Sequence, residues 1–293
     1  MNFSKLACST ALSLALLGCA ANQPKIAIDP NSVHGVLANK KVCSETIVIR
    51  YQSLSGDQID AICPLLKQSE AKFHDYFGTK GKPVADDYNH IMRANIYASR
   101  DEFVKHASNH FNMPTDNGGM YLEGLPSNVK NQAEFVAYVK DGKVWNLHHE
   151  YIHYLDGRFN QYGDYCQGLH DDHAGPEFCP APTPAFPHLV WWGEGVAEYI
   201  AKGLDNPKAI AMIKSQRYFL SDLFNTSYNR NGGADRVYRF GYLAVRYMME
   251  NHRNRVEKML SHTRSGDYEG YQALVKSWGR TMDQDFDRWS KAL

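Results

Sequence analysis

The sequence lacks net charge, since 32 basic residues stand against 32 acidic ones over 293 positions. A neutral chain offers no general attraction to phosphate backbones or acidic lipid, and no local basic cluster stands out, so nucleic acid is excluded as a partner. It also lacks any apolar run of the ~20 residues that a spanning helix needs. There are no internal repeats, and with 43% hydrophobic residues, 22 Gly and 12 Pro the composition excludes disordered and collagen-like chains. Cysteines are few, and no two stand at the close spacing of a cysteine zinc site. What remains is a globular chain long enough for one large domain or two small ones, with a full core and no need of staples.

The amino terminus reads as targeting. Lys5 precedes an apolar run from Leu6 through Leu17, then Gly18-Cys19, and the chain turns polar at Asn22, Gln23 and Lys25. This is the form of a secretory signal peptide. Its end, Leu16-Leu17-Gly18-Cys19, resembles the bacterial lipobox, which implies removal of residues 1–18 and acylation of Cys19, with residues 19–40 as a tether. Ala20 resembles the residue of lipoproteins sent to an outer membrane, so an exported envelope protein facing periplasm or cell surface is expected. A plain signal peptide cut elsewhere is the alternative. Cys8 leaves with the signal and Cys19 would carry lipid, so Cys43, Cys63, Cys166 and Cys179 remain for disulfides in an oxidising compartment. Of three possible pairings, Cys43–Cys63 and Cys166–Cys179 are favoured because each is local.

The rest of the chain divides in two. From about Val42 to Tyr138, strand-like runs at 46–49, 90–97 and 135–138 alternate with helical stretches near 57–77 and 99–111, the latter opening on Ser99-Arg100-Asp101-Glu102 in capping-box form. From about Trp191 onward only helical periodicity is visible, near 194–203, 207–216, 236–251, 253–263, 268–278 and 282–291. Strands first and helices later predict an α+β fold with two lobes, an upper one over about 41–160 and a helical lower one over about 191–293. Residues 160–190, rich in Pro, Gly, Asp and His, read as an irregular excursion.

The chemistry sits at the seam. His149-Glu150-Tyr151-Ile152-His153 is a His-Glu-x-x-His pattern, and on a helix the two histidines project from one face, where both imidazoles can bind one metal. Zinc takes nitrogen ligands at about 2.0–2.1 Å, and catalytic sites use three protein ligands plus a water. Glu150, beside the first histidine, can reach that water without binding the metal and act as general base. Downstream, Trp191-Trp192-Gly193-Glu194-Gly195-Val196-Ala197-Glu198-Tyr199 offers two glutamates one helical turn apart. Glu194 is assigned as third ligand, and Glu198 as acceptor for the free ring N–H of a zinc histidine, which fixes its tautomer.

These segments, with Gly118-Gly119-Met120-Tyr121-Leu122-Glu123-Gly124, Ala133-Glu134-Phe135-Val136-Ala137-Tyr138 and Val237-Tyr238-Arg239-Phe240-Gly241-Tyr242, occur in the order seen in microbial collagenases, so the chain resembles their peptidase domain over most of residues 45–290. The resemblance implies a gluzincin, thermolysin-like metallopeptidase with two lobes and substrate between them. It implies zinc on His149, His153 and Glu194, Glu150 as base, and a substrate-pairing edge strand near Gly118, Gly119 and Tyr121, where adjacent glycines let another backbone approach. It further implies a structural calcium held by Glu123 and by carbonyls near Leu155 and Gly157, and a hydroxyl for the oxyanion, with Tyr238 the candidate and Tyr242 the reserve.

The departures shape the expected substrate. Relatives that degrade native collagen carry a large helical-repeat domain before the peptidase domain, whereas here only the tether precedes it, so gelatin-like, collagen-like peptide or unfolded substrates are expected. The interval from His153 to Glu194 is longer than is usual for the family, and its His170-Asp171-Asp172-His173 reads as a solvated loop or a second metal site. A monomeric zinc endopeptidase, anchored through Cys19 and acting on polypeptide, is the resulting expectation. A catalytically silent envelope lipoprotein that binds peptide strands, and an aminopeptidase, are the alternatives. Mass spectrometry of the protein recovered from bacterial membranes should find residue 19 amino-terminal and acylated; an unmodified residue 19 removes the anchor.

Overall fold

The computed structural model describes residues 29–169, 179 and 187–293. The signal segment, Cys19 and His170-Asp171-Asp172-His173 lie outside the described residues. The described order is α1 (Val33–Val36), β1 (Asn39–Val42), β2 (Ile47–Tyr51), α2 (Gly56–Phe77), β3 (Met92–Tyr97), α3 (Arg100–Phe111), β4 (Gly119–Leu122), β5 (Ala133–Lys140), β6 (Lys143–Val144) and α4 (Leu147–Asn160). Helices follow: α5 (Val190–Lys202), α6 (Pro207–Met212), α7 (Leu220–Leu223), α8 (Tyr228–Asn231), a π turn over Asp235–Phe240, then α9 (Gly241–Asn251), α10 (Arg253–Arg264), α11 (Tyr268–Trp278) and α12 (Asp283–Lys291).

The sheet runs β1-β2-β3-β5-β4, parallel at its centre (β2, β3, β5) and antiparallel at both edges, with β6 pairing β5. Alternation of side chains along extended backbone decides which face each residue meets. Ile47, Ile49, Met92, Ala94, Ile96, Ala133, Phe135 and Ala137 join the larger core with α2 and α4. Val136 and Tyr138 face the other way, into a smaller core under α3 with Phe103 and Ala107. That second face also carries a buried polar network, in which Arg93 pairs with Glu134 and Asn95 donates to Glu134 (2.6 Å) while accepting from Arg50 (2.8 Å). Each group is satisfied there by a neighbour on the next strand.

Two helix starts are capped differently, and a cap was expected from the sequence only at α3. Ser55 and Gln58 complete a reciprocal capping box on α2. At α3, Ser99 accepts from the Glu102 amide, but the Glu102 carboxylate takes Gln52 (2.6 Å) and faces His106 (3.6 Å) instead of turning back. The expected tether also needs correction, because its later part is folded. Leu37 is fully buried in the smaller core, β1 pairs β2 from Asn39, and His110 donates to the Asn31 carbonyl (2.8 Å).

The disulfides pair as expected, Cys43 with Cys63 and Cys166 with Cys179. The first ties the turn between β1 and β2 to α2 across 20 residues, and the second closes 13 residues at the start of the excursion. Loops of this size stabilise by about 3 kcal/mol when cross-linked. Replacing Cys43 and Cys63 together by Ser should therefore lower unfolding free energy by about 2–4 kcal/mol in denaturant titration, with the helical content of the folded state unchanged.

Candidate metal centre and cleft

Helix α4 is launched by a tight hairpin. Val139 pairs Val144 and Lys140 pairs Lys143, leaving Asp141 (φ 50°) and Gly142 (φ 74°) as a two-residue turn with both dihedrals positive. The helix starts after Trp145 and Asn146, two residues beyond β6, and every residue from Tyr154 to Asn160 is buried. It lies against the larger core, so His149 and His153, one turn apart, face inward to the cleft.

Helix α5 supplies the facing carboxylates. Its Trp191 is fully buried and donates to Tyr271 (2.9 Å), while Trp192 donates to the buried Asp156 of α4 (3.1 Å). Asp156 accepts as well from Asn160 (2.7 Å) and Gln161 (2.6 Å). Burial raises its pKa and these donors oppose that, so a carboxylate inside the protein stitches α4 to α5. On its other side α5 touches α9 through glycine. A β-carbon at Gly195 would lie 2.5 Å from the Gly241 carbonyl oxygen.

This packing brings His149, His153 and Glu194 together, with one potential ligand atom from each lying within 4.8 Å of the others. Glu194 Oε2 lies 3.1 Å from His149 Nε2 and 3.5 Å from His153 Nε2. Glu198 Oε1 receives His149 Nδ1 at 3.0 Å and its other oxygen takes Asn206 (3.4 Å), so one ring nitrogen is held from behind while the other faces the cluster. Two imidazole nitrogens and a carboxylate oxygen, one imidazole braced by a second carboxylate, form a donor set suited to zinc. The electrostatics agree. Although burial opposes charge on His149, hydrogen bonds to Glu194 and Glu198 raise its pKa to about 10, and the imidazoles hold Glu194 well below the carboxylate range despite burial. The cluster favours a cation.

Glu150 is buried beside it. Burial raises its pKa, opposed by the two imidazoles and by a hydrogen bond from the Tyr121 amide. Because Tyr121 turns its amide to Glu150 and not to β5, the alternation of antiparallel pairing turns the backbone groups of Gly119 outward too. Strand β4 is a sheet edge, and Gly118, Gly119 and Tyr121 line a cleft of about 440 Å³ with His149, Glu150, His153 and Glu194. The glycines have a different reason from the one expected. A β-carbon at Gly118 would strike the Trp145 indole, and at Gly119 (φ 146°) it would lie 2.7 Å from the Val136 carbonyl oxygen, so their small size admits the protein's own neighbours.

Of the two candidate tyrosines, Tyr238 lines the cleft, its ring edge-to-face with His149 at 6.0 Å. The π turn carries it there. Tyr242, fully buried, donates to the Gly203 carbonyl (2.9 Å) at the end of α5. Glu123 is buried with its carboxylate against α4, where a β-carbon at Gly157 would lie 2.3 Å from its Oε1, and its carbonyl accepts from Asn131 (2.7 Å) and Asn89 (3.2 Å). Residues without a prior signal also contribute. Tyr228, which donates to Glu194 Oε1, stands in a short turn of no periodicity, Asp156 acts through Trp192 on another helix, and Asn206 braces Glu198 from beyond the end of α5.

Fold and site define a class of protein, a mixed α/β scaffold with a His-His-Glu group able to hold a metal in a cleft bordered by a sheet edge. The chain belongs to the collagenase family of peptidases, whose model, described as Collagenase, matches residues 25–289. It is 40% identical over 264 residues to a microbial collagenase of Vibrio alginolyticus, covering 88% of this chain and 30% of the relative, and 40% identical over 262 residues to one of Vibrio parahaemolyticus. Collagenase ColA of Clostridium perfringens is 27% identical over 200 residues, 64% of this chain and 16% of that protein. The chain thus spans about 30% of the length of the Vibrio relatives.

Alanine at Gly195 should cost about 1–3 kcal/mol of stability by forcing α5 off α9. Alanine at Gly193, where nothing lies within 4 Å of the new methyl, should be neutral or stabilising in the same denaturant titration.

Proposed function

We propose that the protein is a zinc-dependent endopeptidase of gluzincin type, with substrate lying between a sheet-bearing upper lobe and a helical lower lobe. The observation that carries this reading is the buried Glu150 beside His149, His153 and Glu194, all opening on one cleft. Zinc held by these three residues would lower the pKa of a water and polarise a peptide carbonyl. Glu150 is placed to accept a proton from a water at the cluster and to return one to a leaving amine, since burial makes its carboxylate more basic and the Tyr121 amide aims it. Glu198 holds the His149 ring in one tautomer, and the Tyr238 hydroxyl stabilises the developing oxyanion. The edge position of β4, with the Tyr121 amide already engaged by Glu150, leaves the backbone at Gly119 to meet an extended chain added to the sheet.

The substrate class that goes with this reading is gelatin-like, collagen-like or unfolded polypeptide. A calcium ion held by Glu123 and carbonyls of α4 near Leu155 and Gly157 would brace the active-site helix, supported by the seating of the Glu123 carboxylate on Gly157. Export is supported by the two disulfides, and anchoring through an acyl chain on Cys19 by the Leu16-Leu17-Gly18-Cys19 segment. No helix among the described residues is long and apolar enough to cross a membrane.

The test compares parent and Glu150→Ala, each with zinc and calcium, on gelatin and on an end-blocked collagen-like peptide. The parent should cut both, and the variant should bind zinc equally yet lose about 10²–10⁴-fold in turnover. Equal inactivity with stoichiometric zinc in both would turn the reading toward a peptide-binding lipoprotein.

A further inference from the structure

Glu194 uses its two carboxylate oxygens differently. Oε2 faces the cleft-side nitrogens of His149 and His153, and Oε1 accepts the hydroxyl of Tyr228. The turn that delivers Tyr228 is braced on both sides. Ser227, fully buried, caps α8 through the Arg230 amide (3.2 Å), and Asn231 accepts from the Ser227 amide (2.9 Å) while donating to the Asn225 carbonyl (3.0 Å). Such a turn has little freedom to withdraw the hydroxyl. Tyr238, another cleft tyrosine, comes from the π turn and lies edge-to-face with His149.

A carboxylate offers a metal one oxygen or two, and the choice decides how many positions stay open for water and substrate. We propose that Tyr228 is a positioning residue that occupies Oε1 of Glu194, so that this ligand meets the metal through Oε2 alone and a coordination position stays open. The hydroxyl acts in two ways. Its hydrogen bond withdraws electron density from Oε1, and it fixes the rotation of the carboxylate before any ion arrives. This inference rests on the metal-site reading above.

The experiment uses the full chain as parent, Tyr228→Phe and, as a control whose hydroxyl bonds the Gly203 carbonyl outside the cleft, Tyr242→Phe. Zinc affinity is measured by chelator competition, and the visible spectrum is recorded after loading with cobalt. Tyr228→Phe should weaken zinc binding about 10–100-fold and weaken the cobalt visible band as the coordination number rises, whereas Tyr242→Phe should leave both unchanged. The same pair is then compared in a Glu194→Ala background, where removing the Tyr228 hydroxyl should have no further effect on affinity. Parental affinity and spectrum in Tyr228→Phe overturn the inference, as does a loss that persists without Glu194, because the tyrosine would then act through general structure. Failure of the parent to bind one zinc overturns the metal-site reading, and the inference with it.

Discussion

The contact between α4 and α5 is the constraint on which the cleft depends. One helix carries His149, Glu150 and His153 and the other carries Glu194 and Glu198, so a small slide of either would separate the cluster. The contact is fixed at one end by the buried Asp156, which accepts from Trp192 across the two helices, and α5 is seated from behind by the approach of Gly195 to Gly241. Apolar packing alone would tolerate a shift, because dispersion contacts are numerous and individually weak. A buried carboxylate with directional donors and a backbone-to-backbone contact tolerate far less. Asn160 extends the same bracing, accepting Arg264 (2.8 Å) through its side chain and Thr263 (2.6 Å) through its carbonyl, so α10 holds the far end of α4.

The sheet contributes through its edge. Strand β4 holds Glu150 with the Tyr121 amide and leaves neighbouring backbone groups turned to the cleft, so one short strand both aims the base and borders the space a substrate would enter. Around the imidazoles, Glu194 and Glu198 are kept ionised against burial by the histidines they face, and His149 is driven toward the charged state by them. Concentrating negative charge around two imidazoles in a half-enclosed space costs stability unless a cation, proton or metal, neutralises it.

The periodic features of the fold were legible. The strand-like runs at 46–49, 90–97 and 135–138 marked β2, β3 and β5, and the capping-box form at Ser99 marked the start of α3. The folding of residues 33–42 was less visible, because β1 is exposed along its whole length and Leu37 is a single apolar residue among polar ones. At the site, His149 with His153 and Glu194 with Glu198 could be picked out because helical spacing of four places such residues on one face, and Glu150 because it adjoins the first histidine, all local properties of the backbone. Sequence by itself therefore determined the helix-borne donors, the favoured cysteine pairs and the order of strands and helices, since all follow from near neighbours along the chain. Tertiary structure alone decided that Tyr228 meets Glu194, that Tyr238 and not Tyr242 faces the cleft, and that Asp156 binds Trp192. Those contacts join residues whose distance apart is set by how whole helices pack, and no local spacing encodes it.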